Sequence, residues 1–263
     1  VIPMDLSVST RTVWRYDGER LSEQADPIAK ESPLTIRLDG EEFATIVCTP
    51  SDMEDMVFGF LASEGVIHEA NEVTGLQLNA SRGFADVTLL YPERGKLMDH
   101  SKRVIGSCCG KSRQFYLRSD VRTAKTVMSR SHITPDECLA LIRQLQDGSD
   151  VFRQTGGVHN AALCSREKLL VTRTDIGRHN ALDKVYGHCL RERVSMKDAA
   201  IAFSGRVSSE VLLKTAKMGI GILLSKSAPT DLALELADDL GITVIGFIRG
   251  STFNVYSHPE RLA

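Results

Sequence analysis

The sequence contains no Cys-x-x-Cys pair, no Walker A loop, no Gly-x-Gly-x-x-Gly and no long unbroken apolar run. The first absence argues against a closed zinc site, because such sites usually draw their ligands from turns of that spacing. The next two weaken ordinary ATPase and dinucleotide-enzyme readings. The last argues against a spanning helix, which needs roughly 18 or more consecutive apolar residues. Charge of either sign is not in excess: the net charge of −2 gives no global pull toward nucleic acid or an anionic membrane surface. Any cationic site must therefore be local. The opening V-I-P-M-D-L-S-V-S-T has no cationic start followed by an apolar core, so export is not indicated and a cytoplasmic protein is expected.

What is present is ordinary globular material, 263 residues with 42% apolar and 25% charged. That length allows two modest domains. Six cysteines without an export signal read as reduced thiols rather than as a disulfide framework. T-I-R-L-D-G-E-E-F-A-T-I-V predicts a hairpin turning at Asp39-Gly40. Ser51 with Glu54 predicts a capping box opening a helix whose apolar face is Met53, Met56, Val57, Phe60 and Leu61 and whose end is Gly65. Strands are expected in E-V-T-G-L-Q-L and F-A-D-V-T-L-L-Y, and residues 92 to 114 read as a long inter-domain loop.

Thr134-Pro135 with Glu137 predicts a second capping box and a helix running to Gly148. From residue 168 strands and helices alternate. Helices are expected over 177–192, 206–218 and 230–240, the last through Leu232, Leu236 and Leu240, between apolar strands A-A-I-A-F, G-I-L-L-S and I-T-V-I-G-F-I. The fold class expected is α/β: a C-terminal three-layer α-β-α sandwich, at least partly parallel, in residues 108–263, and a smaller N-terminal α+β domain in 1–107 that ends in a basic loop.

Two constellations carry chemistry. The first is R-V-I-G-S-C-C-G-K-S-R-Q, residues 103 to 114, inside a stretch where nine Lys or Arg between Arg94 and Lys125 face only Asp99 and Asp120. Cations raise the thiolate fraction of a nearby cysteine. Adjacent Cα atoms lie only about 3.8 Å apart, short of the roughly 4.4–6.8 Å of an unstrained disulfide, so Cys108 and Cys109 are poor partners for each other. Reactive or incidental thiols both fit, whereas Cys138 and Cys189 fall on apolar helix faces and read as inert. The second constellation is T-G-G-V-H-N-A-A, D-I-G-R-H-N-A-L-D-K, S-G-R-V-S-S-E and F-I-R-G-S-T. Each is expected at a strand-to-helix or strand-to-loop junction on one sheet edge, where ligands of open α/β sheets collect. Gly156-Gly157, Gly177, Gly205 and Gly250 are expected to admit a phosphate or ring, with Arg178, Arg206 and Arg249 as phosphate contacts. The bland alternatives are turn glycines, Asp175 as a helix cap, and His159 or His179 satisfied by neighbours. A zinc deaminase reading fails because Ala161 stands where its glutamate is needed and no Pro-Cys-x-x-Cys follows.

These four motifs in this order, with G-I-T-V-I-G-F-I-R-G running on to N-V-Y-S-H-P-E-R, closely resemble the FdhD/NarQ family of formate dehydrogenase accessory sulfurtransferases from about residue 30 onward. The resemblance implies a cysteine that accepts sulfane sulfur as a persulfide from a cysteine desulfurase. It further implies transfer of that sulfur to the molybdenum cofactor, Mo-bis(molybdopterin guanine dinucleotide), for formate dehydrogenase. A cytidine deaminase-like C-terminal domain without zinc or other intrinsic metal, and a homodimer binding the guanine nucleotide ends, follow from the same likeness. Guanine nucleotide is then a mimic of the cofactor. The resemblance carries cofactor binding onto Phe247, Ile248, Arg249, Gly250, Ser251 and Thr252, and more weakly onto Gly157, His159, Asn160, Arg178, His179, Asn180, Ser204, Gly205 and Arg206. One motif departs. The family's Cys-Gly-x-Cys-Gly is here Gly106-Ser107-Cys108-Cys109-Gly110, so either Cys108 or Cys109 takes the carrier's place. The rival reading is a chaperone that holds and delivers the cofactor without sulfur chemistry.

Overall fold

The computed structural model describes residues 7–96, 103–105 and 126–263. Cys108, Cys109 and most of the basic stretch lie outside the described residues.

The chain opens with a two-stranded antiparallel sheet, β1 (Val8–Tyr16) and β2 (Leu21–Ala29). Its strands expose Trp14, Tyr16 and Leu21, so they lack the alternation that would announce them. Next comes the expected hairpin, β3 (Ser32–Leu38) and β4 (Glu41–Cys48), turning through Asp39 at φ 50° and Gly40 at φ 92°. Helix α1 (Met53–Glu64) follows and ends at Gly65, φ 79°. Its start corrects the sequence reading. The N-cap is Asp52 in the left-handed region with no side-chain cap, and Glu54 bonds Arg191 at 2.5 Å instead of reaching back to Ser51. Strands β5 (Val73–Asn79) and β6 (Phe84–Leu89) are as expected.

Residues 92–114 are not simply a loop. Pro92–Lys96 form a short helix, α2, and Arg103–Ile105 a strand, β7, paired with β4. The first mixed sheet thus runs β5-β6-β3-β4-β7.

The second half begins with α3 (Pro135–Asp147), whose Thr134–Glu137 capping box is formed in both directions. A short helix α4 (Asp150–Thr155) leads into β8 (His159–Cys164) and β9 (Leu169–Asp175). Then come α5 (Arg178–Arg191), β10 (Ala200–Phe203), α6 (Ser209–Lys217), β11 (Ile222–Ser225), α7 (Asp231–Leu240), β12 (Thr243–Arg249) and β13 (Thr252–Val255). Helix α6 starts later than position 206, because the Ser208 hydroxyl accepts from the Val211 N–H and fixes its N-terminus. Leu232 points outward, 40% exposed, while Leu236 and Leu240 are buried.

These strands make a six-stranded sheet ordered β13-β12-β11-β10-β8-β9, parallel at β10–β11 and β11–β12 and antiparallel elsewhere. Successive side chains of each strand alternate between two cores. Ala162, Cys164, Ala202, Leu224 and Ile245 pack with Cys138, Leu141, Ile142 and Leu145 of α3. Ala161, Leu163, Ile201, Phe203 and Leu223 face the larger core, which also holds α1, α5, α6, α7 and the inner residues of the first sheet. Helix α1 is buried on nearly every side, with only Glu54 exposed. It lies against α5 so closely that Gly59 and Gly187 meet backbone to backbone.

Candidate functional site

Strand register brings the four junctions to one edge of the six-stranded sheet. His159 at the start of β8 pairs with Asp175 at the end of β9. Ala161 pairs with Phe203 at the end of β10, and Phe203 with Ser225 at the end of β11. Strand β12 runs parallel to β11, so the turn after Arg249 opens on the same side.

The two motifs that share His-Asn-Ala differ in setting. His179-Asn180 sit in the first turn of α5 after a strand, as expected, but His159-Asn160 begin a strand after a helix. Asn160 is structural: its Oδ1 accepts from Ser149 Oγ at 2.9 Å and Thr174 Oγ1 at 2.7 Å, while its N–H donates to Ser204 Oγ at 2.9 Å. Asn180 Nδ2 donates to the Val47 carbonyl at 2.9 Å and to Asp175 Oδ1 at 3.0 Å. His179 Nε2 lies 3.1 Å from Glu210 Oε2 and 3.3 Å from Ser208 Oγ. It braces α6 against α5.

A pocket of about 340 Å³ opens at this edge, within the size range of small-molecule sites. Ile142, Leu145 and Gln146 of α3, Phe152 of α4, Gly156, Gly157, Val158, His159, Asn160, Phe203, Ser204 and Lys226 line it. Of the sequence-predicted residues, the pocket therefore gathers Gly156, Gly157, His159, Asn160 and Ser204. Arg178 is near enough for its charge to act on His159. Gly205, Arg206, His179, Asn180 and the 247–252 turn are not among its lining residues. The turn is nonetheless a neighbour, since the Phe247 N–H donates to the Ser227 carbonyl at 3.1 Å, one residue beyond Lys226.

That turn has an unusual shape. Phe247 takes φ 53° at a bulge between Gly246 and Arg249, which presents its ring, 38% exposed, with the Arg249 guanidinium 5.0 Å from the ring centroid. A left-handed phenylalanine is strained, and such strain clusters at ligand sites. Ile248 is buried in the α3-side core and anchors the turn.

Three glycine expectations are corrected, the first at Gly157, where a Cβ would meet the Ala29 Cβ at 3.0 Å. A Cβ on Gly177 would meet the Asn180 side chain at 2.8 Å, and one on Gly205 the Phe203 ring and Arg178 Cβ at 3.1–3.2 Å. The protein itself fills those spaces. Gly156 and Gly250, both left-handed, face open space. Asp175 is not a helix cap either; it is wholly buried, 2.7 Å from the equally buried Lys184 Nζ. The apolar stretch around Lys184 gave no hint of it. Lys226 was legible only from its place directly after the G-I-L-L-S strand.

Burial and the Arg178 charge hold His159 below the ordinary imidazole value of 6.5, partly opposed by Asp175. The native state then binds fewer protons at this group than the unfolded chain. Its stability contribution is complete above pH 6.5 and is lost as pH falls through and below that value. A His159→Asn protein should therefore lose less of its thermal midpoint than the parent between pH 7.5 and 5.5; parallel midpoint curves would remove this role.

Among the described residues no group of His, Cys, Asp and Glu could hold a metal ion, and no helix is long and apolar enough to cross a membrane. The four described cysteines, Cys48, Cys138, Cys164 and Cys189, are free and buried, and burial pushes each up to about 12. They are poor nucleophiles.

Comparison with known proteins adds three findings. The sequence pattern of the FdhD/NarQ family matches residues 29–263. The sulfur carrier protein FdhD of Bacillus subtilis (strain 168) is 56% identical over 258 residues, 98% of each chain, and that of Geobacillus kaustophilus is 55% identical over 252 residues, 96% of each. The crystal structure of a formate dehydrogenase accessory protein from Desulfotalea psychrophila superposes with a TM-score of 0.80 at 26% identity, covering 97% of this chain and 99% of that one.

Proposed function

This chain belongs to the FdhD/NarQ family, and on that premise we propose that it is a sulfur carrier serving formate dehydrogenase. Cys108 or Cys109 is the carrier. The thiolate attacks the outer sulfur of a cysteine desulfurase persulfide, a new S–S bond forms, and the donor cysteine departs as thiolate. The loaded sulfur is meant for the Mo-bis(molybdopterin guanine dinucleotide) cofactor. That substrate's guanine nucleotide ends engage the sheet edge around the pocket and the Phe247–Thr252 turn. In the same reading residues 108–263 are the cytidine deaminase-like unit, residues 1–107 the smaller one, and the protein works as a cytoplasmic homodimer.

One observation carries the carrier assignment within this chain. Every described cysteine is buried with its thiol pushed up to about 12, which leaves Cys108 and Cys109, set among cationic residues in the sequence, as the available nucleophiles.

Intact-protein mass spectrometry after incubation with a cysteine desulfurase and cysteine tests it. The parent should gain one sulfur, and Cys108→Ser or Cys109→Ser should abolish the gain. The doubly substituted protein should also fail to activate formate dehydrogenase. If it gains no sulfur yet still activates the enzyme, the protein is a cofactor chaperone instead.

A further inference from the structure

The sequence points to Arg178, Arg206 and Arg249 as phosphate contacts, yet none of them lines the pocket; among the described residues the lysine or arginine that does is Lys226. It follows β11 directly, its backbone N–H held by the Phe203 carbonyl at 3.2 Å, so its position is fixed by the sheet edge. No carboxylate lines the pocket among the described residues, and the Arg178 charge is felt within it at His159. Ile142, Leu145, Phe152, Val158 and Phe203 give it an apolar wall, beside the neutral polar side chains of Gln146, Asn160 and Ser204. An apolar slot with a cation and no acid selects an organic anion with a flat, apolar body. The next residue along the chain, Ser227, is bonded to Phe247, whose ring and stacked Arg249 offer a second flat surface.

We propose that the pocket takes one ring of a phosphate-bridged ligand and that Lys226 receives the phosphate between this ring and the part lying on the Phe247–Arg249 turn. This rests on the cofactor-binding reading above but adds to it a residue and an order along the ligand: ring, anion at Lys226, second group at the turn. A lysine ammonium serves here as a point charge that follows a phosphate without fixing its orientation.

Equilibrium binding of GDP, ADP and guanosine to the full chain, to Lys226→Met, to Lys226→Arg and to Lys168→Met tests it. Lys168 lies in the β8–β9 turn, at the opposite end of those strands, and is the control. Lys226→Met should weaken GDP binding by about tenfold or more, the loss of one charge-assisted hydrogen bond, while leaving guanosine binding and the thermal midpoint unchanged. Lys226→Arg should restore most of the affinity, and Lys168→Met should match the parent. Equal GDP affinity in the parent and Lys226→Met would overturn the assignment while leaving guanine binding intact. ADP bound as well as GDP, with both dependent on Lys226, would support the phosphate role and sink the guanine reading. If none of the three probes binds, both fall.

Discussion

Gly187→Ala is expected to leave the protein unfolded, or to destabilise it by about 4 kcal/mol or more, although alanine favours a helix over glycine by about 1 kcal/mol. The reason is the α1–α5 contact. A Cβ on Gly187 would stand 1.9 Å from the Asp55 carbonyl oxygen, and one on Gly59 would stand 1.7 Å from the Asp183 carbonyl oxygen. No rotamer change relieves a clash with backbone, so the helices must part by about 1 Å or more. Inserting a methylene into a well-packed core costs about 1–3 kcal/mol when side chains can give way. Here separation would also disturb the ion pair across the seam, Asp55 with Arg191 at 2.5 Å. Gly156→Ala is the control. Its Cβ meets open space, so it should cost only the left-handed strain, about 1–2 kcal/mol. Denaturant midpoints of the two variants decide the matter, and a Gly187→Ala midpoint no lower than that of Gly156→Ala would refute the seam argument.

That seam also marks where sequence reasoning stops. The Met53, Met56, Val57, Phe60 and Leu61 stripe identified α1 as amphipathic, because periodicity reports one buried face. It could not say that Asp55 and Ser63 are buried as well, since they meet partners more than 100 residues away, Arg191 for Asp55 and the Asp183 carboxylate that accepts from Ser63 Oγ at 2.6 Å. The alternation of strand and helix after residue 168 was legible because each apolar strand is short and bounded by turn residues. The exposed β1–β2 pair was not, having no buried face to create a pattern.

The glycine and polar motifs do lie along one sheet edge, and small residues there serve a tight junction as readily as a ligand. The same ambiguity explains the errors. Gly177 and Gly205 are small to admit Asn180, Phe203 and Arg178, neighbours that only tertiary packing brings in. Lys226 carried no motif of its own, and its meaning comes from the walls around it.

Lys184→Met should cost about 3–5 kcal/mol, the usual penalty for stranding one member of a buried ion pair. Asp175 and Lys184 are both fully buried, and the ammonium also donates to the Thr49 carbonyl at 3.0 Å. Without it the Asp175 carboxylate keeps hydrogen bonds from Thr49, Gly177 and Asn180 but has no countercharge at its side. Asp175→Asn should also be costly, since it strands the ammonium. The double variant Lys184→Met, Asp175→Asn should lose less than the two single losses combined, by at least about 1 kcal/mol, because neither partner then faces an unpaired charge. Denaturant melts of the four proteins measure this coupling, and simple additivity would show that the pair does not act as a unit. The pair has a second consequence for the sheet edge at the pocket. Asp175 Oδ1 holds the Gly177 N–H at 2.8 Å and the Asn180 side chain at 3.0 Å, so it fixes the turn that leads into Arg178, whose charge acts on His159. The Lys184→Met protein, studied where it is still folded, should therefore bind GDP more weakly than the parent even though Lys184 never touches the pocket. Unchanged binding in that folded variant would confine the pair to stability alone.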